Sequence, residues 1–122
     1  MTLKKILERI LEFDKEIRFA AIFDRFGTII EKVQRNNTSL VLDEFETQTM
    51  LRSAANSWFH RKNLENKLGK GNYSMTVYDN LVRITIPLTP DHFLILSHVR
   101  VDNPLPIINH AKQVLKSNKI NL

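Results

Sequence analysis

The four histidines of the chain are the first candidates for metal binding. They are His60, His92, His98 and His110, and no two of them have the i, i+4 spacing of helical ligands. His92 and His98 would share a strand face but stand roughly 20 Å apart, at about 3.3 Å per residue. The chain has no cysteine, which removes thiolate ligands and disulfides. The sequence therefore predicts no metal site.

Nucleophilic catalysis and phosphate binding by a glycine-rich loop have no better support. Ser97 and His98 are sequence neighbours, and adjacent strand residues point to opposite faces. The stretch KLGKG at residues 67–71 lacks the spacing of a P-loop and follows a predicted helix, whereas a P-loop precedes one. It is typical of a helix end and a turn. We therefore expect no catalytic residues and no cofactor, in a protein that is not an enzyme.

Basic side chains are the best functional candidates. The chain carries 18 Lys and Arg against 13 Asp and Glu, a formal net charge of +5, and its pI is near 9.7. An acidic stretch at residues 43–46 is followed by a basic one, and a further basic group lies at residues 112–119. Phosphates, a lipid head group or an acidic protein could bind the basic stretch; the alternative is a solvated helix end. The candidate anion- or partner-binding residues are Arg61, Lys62, Lys67 and Lys70.

Aromatic residues mark a second candidate site. Trp58 and Phe59 are neighbours on a predicted helix and point about 100° apart. One ring can face the sheet while the other faces outward, and an exposed aromatic ring is an association signal; the alternative is that both are core. A predicted edge strand at residues 73–78 needs protection or a pairing partner. The candidate dimer interface is Trp58, Phe59, Tyr73, Met75 and Tyr78.

Length and composition indicate one globular domain over residues 1–122. Hydrophobic residues are 43% and charged residues 25% of the chain, as in folded proteins. The longest apolar run is five residues, Phe19 to Phe23, whereas a membrane helix needs about 20. The charged N-terminal stretch is not typical of a signal peptide. We expect a cytoplasmic protein without a membrane span.

The hydrophobic periodicity predicts the element order α-β-β-α-β-β-β-α, an α+β fold. The helices are expected at residues 2–15, from between Ser39 and Asp43 to just before Gly69, and from Asn103–Pro104 to about residue 117. The middle helix would be long for a small domain, so a break near His60 is one alternative. Strands are expected at residues 18–23, 28–33, 73–78, 81–88 and 92–101.

The first and fifth strands carry apolar residues on both faces, which indicates central strands covered from both sides. The sheet should therefore be antiparallel with the order 2-1-5-4-3. The long helix would cover one face and the two terminal helices the other. Four residues of the central strands should be buried: Ala21, Ile22, Leu94 and Ile95.

This order, with a long helix between a hairpin and a three-stranded meander, resembles the Roadblock family of the profilin-like superfold. The hairpin IRFAAIFDRFGTIIEK is similar to the Roadblock opening, in which a strand ends at an Asp-x-x-Gly turn. A closer resemblance, over residues 17–101, is to a family of small proteins from ammonia-oxidising archaea. It rests on IRFAAIFDRFG, RKNLENKLGK and YSMTVYDNLVRITIPL. One departure is the stretch at residues 34–37, where that family has a glycine-rich turn.

The resemblance implies a homodimer built from the long helix and the third strand, with a small GTPase or another protein as its partner. We therefore expect a non-enzymatic interaction or regulatory module. Two alternatives stay open. A small-molecule sensor of PAS or GAF type would need a pocket between the sheet and a shorter, broken second helix. A nucleic-acid-binding domain would use the basic stretch, although no exposed aromatic stacking set accompanies it.

Overall fold

The structure is a computed structural model that describes residues 2–35, 42–99 and 102–122. The stretch at residues 36–41 therefore lies outside the described residues, and with it two of the four residues, 36 and 37, that depart from the archaeal pattern. The same holds for the end of the predicted fifth strand at residues 100–101. In chain order the elements are α1 (Leu3–Glu12), β1 (Ile17–Asp24), β2 (Ile29–Gln34), α2 (Glu44–Lys62), α3 (Glu65–Leu68), β3 (Ser74–Val77), β4 (Val82–Thr89), β5 (His92–His98) and α4 (Leu105–Ser117).

The five strands form one antiparallel sheet with the order β2-β1-β5-β4-β3. This confirms the predicted fold class and sheet order. The four residues predicted for the centre of the sheet, Ala21, Ile22, Leu94 and Ile95, are buried. Because β1 and β5 are apolar on both faces, only a central position keeps all of their side chains from water.

Two hydrophobic clusters lie on opposite faces of this sheet. The larger one joins the strands to α1 and α4, through Ile6, Ile10, Ile108 and Ala111 among others. The smaller one joins Ala21, Phe23, Phe93 and Ile95 to three residues of α2, namely Leu51, Ala55 and Trp58. The terminal helices and the long helix therefore cover the faces that the sequence predicts.

The turn between β1 and β2 fixes how α2 sits on the sheet. The Asp24 carboxylate accepts the N–H groups of Phe26 and Thr28, at 2.9 and 3.0 Å. Gly27 follows with a φ of +81°, which glycine adopts without strain. A Cβ at Gly27 would lie 2.7 Å from the Gln48 carbonyl oxygen and 2.9 Å from the Arg52 nitrogen. The turn therefore packs directly on the backbone of α2.

The long helix is divided in two. It starts with a complete capping box, in which Asp43 accepts the Glu46 N–H and Glu46 accepts the Asp43 N–H. It ends at Lys62, where Asn63 and Leu64 donate to carbonyls three residues earlier, and the short α3 runs on to the predicted stop at Gly69. The break lies at Asn63 and Leu64, three residues beyond the alternative considered at His60.

The last helix, α4, begins at Leu105, one residue later than the Asn103–Pro104 pair predicts. Asn103 accepts the Leu105 N–H at 3.1 Å, so Pro104 is the N-cap residue. Its buried residues are Ile107, Ile108, Ala111 and Val114. No helix in the described ranges is both long and apolar enough to cross a membrane.

Ile95 tests whether β5 is central. It is 1% exposed and lies between Ala21 of β1 and Thr85 of β4. Replacing Ile95 with Ala should lower the free energy of unfolding by about 2–5 kcal/mol, because the deletion leaves a cavity that the sheet cannot close. Urea denaturation measures the change. A loss below about 1 kcal/mol would contradict the central position, and Ile30→Ala on the exposed side of β2 is the control.

Candidate functional site

Strand β3 leaves one side of its backbone without a partner among the described strands. Tyr78 donates its N–H to the Leu81 carbonyl at 2.8 Å, so these two residues form a hydrogen-bonded pair of the ladder. Such pairs alternate with non-bonded ones in an antiparallel ladder. The backbone groups of Thr76 therefore face β4, while those of Met75 and Val77 point to the open edge.

A groove runs beside this edge, on the sheet face that carries α2. Its volume is about 860 Å³. One wall is a stripe of α2 with small and polar side chains, Thr49, Ser53, Ala54 and Ser57, and with Phe45 at its start. The floor is the outer part of the sheet, Ser74, Thr76, Tyr78, Arg83 and Thr85. Since α2 packs on β1 and β5, this outer half of the sheet face is left open.

Trp58 anchors α2 to the sheet. It is 6% exposed, and its indole N–H donates to the Thr85 hydroxyl at 2.9 Å. The Arg61 guanidinium lies 4.9 Å from the ring centroid, and a Cβ at Gly71 would come within 2.6 Å of the ring. The indole is therefore enclosed on several sides.

The predicted dimer-interface residues divide into two groups. Trp58 faces the sheet, while Phe59 is 59% exposed, so the two neighbouring rings do point to different surroundings as their spacing indicates. Tyr73, Met75 and Tyr78 are all exposed on or beside β3. The Tyr78 ring meets the Arg83 guanidinium at 5.6 Å, and the Tyr73 ring meets the Lys112 ammonium at 5.4 Å.

The basic residues converge on a second concave surface, at the other end of α2. We call it the basic cleft; its volume is about 620 Å³. It contains three of the four predicted anion-binding residues, Arg61, Lys62 and Lys70, together with Lys112 and Lys116 of α4. Glu65 is its one acidic residue within the described ranges, and Ile86, Pro87, Leu88 and Leu115 supply apolar surface.

Lys67, the fourth predicted residue, does not line this cleft. The sequence separates the two lysines of α4 from the Arg61 group by about 50 residues, so their convergence depends on the tertiary fold. Arg83 and Thr85 are not identified as site residues from the sequence, because each is an ordinary polar residue of an alternating strand. Their alternation with Val82 and Ile84 does place them on one face, which is the only signal the sequence carries.

Three of the four histidines contact other groups of the fold, although the second ring nitrogen of His98, Nε2, is buried and has no hydrogen-bond partner in the described ranges. His92 Nδ1 lies 2.8 Å from the Thr89 hydroxyl, and His98 Nδ1 lies 2.7 Å from the Val99 carbonyl oxygen. The His110 ring stacks on Phe13 at 4.3 Å. Within the ranges that the structure describes, no three acidic or histidine side chains gather as metal ligands would.

No protein-family model and no curated protein matches the sequence. Solved structures do match the fold. The Roadblock/LC7 domain from Streptomyces avermitilis superposes with a TM-score of 0.72 at 11% identity, over 96% of this chain and 94% of that one. The gliding protein MglB from Thermus thermophilus gives 0.71 at 16% identity, over 90% and 80%. A structure of MglB with tetrameric arrangement gives 0.73 at 16% identity, over 93% and 82%.

These likenesses establish a Roadblock/LC7-like fold of the profilin-like type. At such identities they support the fold alone. The resemblance to the archaeal family is not tested by these structures and stays a prediction from the three sequence segments quoted above.

The bond between Trp58 and Thr85 can be measured with a double-mutant cycle. Thr85→Val leaves the buried indole N–H without an acceptor and should lower the free energy of unfolding by about 1–3 kcal/mol. Trp58→Phe should cost at least as much, because it also removes ring contacts. The double variant should lose less than the sum, with a coupling of about 0.5–3 kcal/mol. Additive losses in urea denaturation would show that the bond does not hold α2 to the sheet.

Proposed function

We propose that the chain is a non-enzymatic interaction or regulatory module that acts as a Roadblock-like homodimer. It would fold as a single domain over residues 1–122. The observation that carries this proposal is the open edge of β3 beside an unfilled groove on the same side of α2. An exposed edge strand without proline or lysine is a template for pairing, and β3 carries neither.

A second copy of the chain fits both features at once. A two-fold axis beside β3 would pair this strand antiparallel with its twin and join the two sheets into one. The same axis would bring the two copies of α2 together over the groove. The small side chains of Ser53, Ala54 and Ser57 on that wall would let two helix backbones approach closely.

Charge along α2 supports an antiparallel arrangement. The helix begins with Glu44 and Glu46 and ends with His60, Arg61 and Lys62. In an antiparallel pair each acidic start lies near the basic end of the other helix, which is favourable at both ends of the seam. Arg61 lines the groove as well as the basic cleft, so it is placed to meet an acidic residue of the twin.

The basic cleft would dock the partner, a small GTPase or another protein with an acidic surface. Five cationic side chains around an apolar floor provide complementary charge and buried contact area for an acidic segment that also carries apolar residues. The fold resemblance is the reason to propose a small GTPase as the partner. The cationic side chains of the basic cleft are the reason to propose that the docked surface is acidic. A cytoplasmic location follows from the same proposal.

Nucleic-acid binding is the second candidate, because the same five cations would also attract phosphates. The apolar floor of the cleft favours a protein. Trp58 is enclosed, so Phe59, which is 59% exposed and lines the cleft, is a lone ring there, whereas single-strand binders stack successive bases on several rings.

The seam at β3 can be tested at Met75, whose backbone N–H points to the open edge. Wild-type protein should have a mass near twice 14.3 kDa by light scattering at micromolar concentration. Met75→Pro should give a monomer, because proline removes the donor that the twin would need. The bonds between β3 and β4 do not involve this N–H, so the fold should persist.

Met75→Ala is the matched control, since it shortens the same side chain and keeps the N–H. It should remain dimeric. A wild-type mass near 14.3 kDa would contradict the homodimer. If Met75→Pro is still a dimer, the dimer interface does not include the β3 edge.

The basic cleft can be tested by charge reversal at Arg61, Lys62 and Lys70. The triple Glu variant should lose the acidic partner that wild-type protein captures from native lysate. The control is a triple Glu variant at Lys4, Lys5 and Lys67, which has the same net charge and leaves the cleft intact; it should capture the partner normally. Retention on DNA or RNA should be weak and vanish near physiological salt. Tight retention above that salt, lost only in the cleft variant, would favour the nucleic-acid function instead.

A further inference from the structure

A third cavity, distinct from the groove and the basic cleft, lies between the sheet and the first half of α2. Its volume is about 650 Å³, within the range of small-molecule sites. The floor is formed by adjacent strands, with Phe19 of β1, Ser97 of β5 and Arg83 of β4 side by side. Ile95 lies two residues from Ser97 on the same face. The floor is therefore polar at its centre and apolar around it.

The Ser97 hydroxyl is an unexplained polar group at the centre of this floor. The residue is only 9% exposed, and its hydroxyl makes no hydrogen bond to another residue in the described part of the chain. The hydroxyl is not itself a buried atom without a partner, so solvent reaches it from the cavity side. It is therefore placed to bond whatever occupies the cavity.

Arg83 provides a second unsatisfied donor next to it. Its Nε is buried and has no hydrogen-bond partner among the described residues, although its guanidinium also stacks on the Tyr78 ring. A buried guanidinium N–H without an acceptor is costly. Ser97 and Arg83 are direct cross-strand neighbours and both line the cavity, so a single ligand head group can meet the Ser97 hydroxyl and the terminal nitrogens of the guanidinium, which are not buried.

The charge around the cavity selects the ligand. Arg18 and Lys32 also line it and form no ion pair with any residue that the structure describes. Over the same ranges, three cationic side chains therefore face one acidic residue, Glu44 at the start of α2. The unsatisfied groups at the floor are an N–H and a hydroxyl, which together suit an oxygen anion. Phe19 and Ile95 offer apolar contact to the rest of the molecule.

We propose that this cavity binds a small amphipathic anion, with a carboxylate or phosphate against Ser97 and Arg83 and an apolar body against Phe19 and Ile95. The alternative of a small-molecule sensor requires a pocket between the sheet and a shorter, broken second helix; the cavity supplies the pocket, while α2 keeps 19 residues and the break lies beyond its end. The site goes beyond the proposed interaction function and does not depend on it.

Two matched probes separate an anion site from a general apolar pocket. They are 3-phenylpropionate and its neutral amide, 3-phenylpropionamide, titrated into the full chain by calorimetry. The carboxylate should bind at least about tenfold more tightly than the amide, the difference expected from one charge-assisted hydrogen bond. Phenyl phosphate and inorganic phosphate form the second arm. Tighter binding of phenyl phosphate than of the carboxylate would identify a phosphate head group.

The variants Ser97→Ala and Arg83→Met should each weaken binding of the preferred anion by roughly tenfold or more. Ser97→Ala should leave the melting temperature of the free protein unchanged or raised, because it removes a hydroxyl without a partner among the described residues. This combination distinguishes a ligand contact from a structural role. Lys4→Gln, at an exposed residue of α1 that does not line the cavity, is the control and should bind as wild type does.

Three results would overturn the proposal. They are equal binding of the carboxylate and the amide, unchanged binding by Ser97→Ala, and no binding of any of the four probes at millimolar concentration. Inorganic phosphate binding as tightly as phenyl phosphate would overturn the apolar half of the site. Because Ser97 does not line the groove beside β3, a monomeric wild-type protein would refute the homodimer and leave this test intact.

Discussion

The two central strands need apolar cover on both faces, and the rest of the architecture depends on this constraint. One face receives two helices, α1 and α4, and the other receives α2. A helix with its side chains is about 10 Å wide, while strands lie about 4.8 Å apart, so one helix covers roughly two strands of five. Cover for β1 and β5 therefore leaves much of the face of β3 and β4 open, apart from the contact of Trp58 with Thr85. The groove beside β3 is a direct consequence of this mismatch.

The same mismatch explains why the buried guanidinium N–H of Arg83 has no hydrogen-bond partner in the described ranges. Arg83 is close to the edge of the area that α2 covers, and it lines both the groove and the cavity under the first half of the helix. Its Nε is buried without a partner in the described ranges. Hydrogen bonds for such a group must come from water or from a molecule that the chain binds. Part of the energetic cost of the isolated chain therefore lies where the groove and the cavity meet, at Arg83, while a second buried group without a partner in the described ranges, His98 Nε2, lies outside both.

Strand order and helix ends could be predicted from sequence because their causes are local. The apolar runs at residues 20–23 and 93–96 identify the central strands, and Asp43 with Glu46 identifies the start of α2. The buried stripe of α4 shows the limit. The spacing of Leu105, Ile108, Ala111 and Leu115 predicts one inward stripe, but Leu105 is exposed and Val114 is buried together with Ile108 and Ala111. Periodicity gives the width of a stripe, while its rotation is set by packing against α1 and the sheet, which are distant in sequence.

The candidate sites follow the same division. Which of the two rings, Trp58 or Phe59, is exposed could not be predicted, but their divergence could be, because adjacent helix residues point about 100° apart. The cavity at Ser97 could not, since its volume depends on how far α2 stands from the sheet. That distance is set by contacts such as Gly27 against the backbone of α2 and Trp58 against Thr85. A glycine in a turn and a threonine in a strand are common residues, and only their approach to α2 makes them decisive. The spaces on either side of this helix are therefore a property of its few anchoring contacts, and changes at those anchors should alter both sites together.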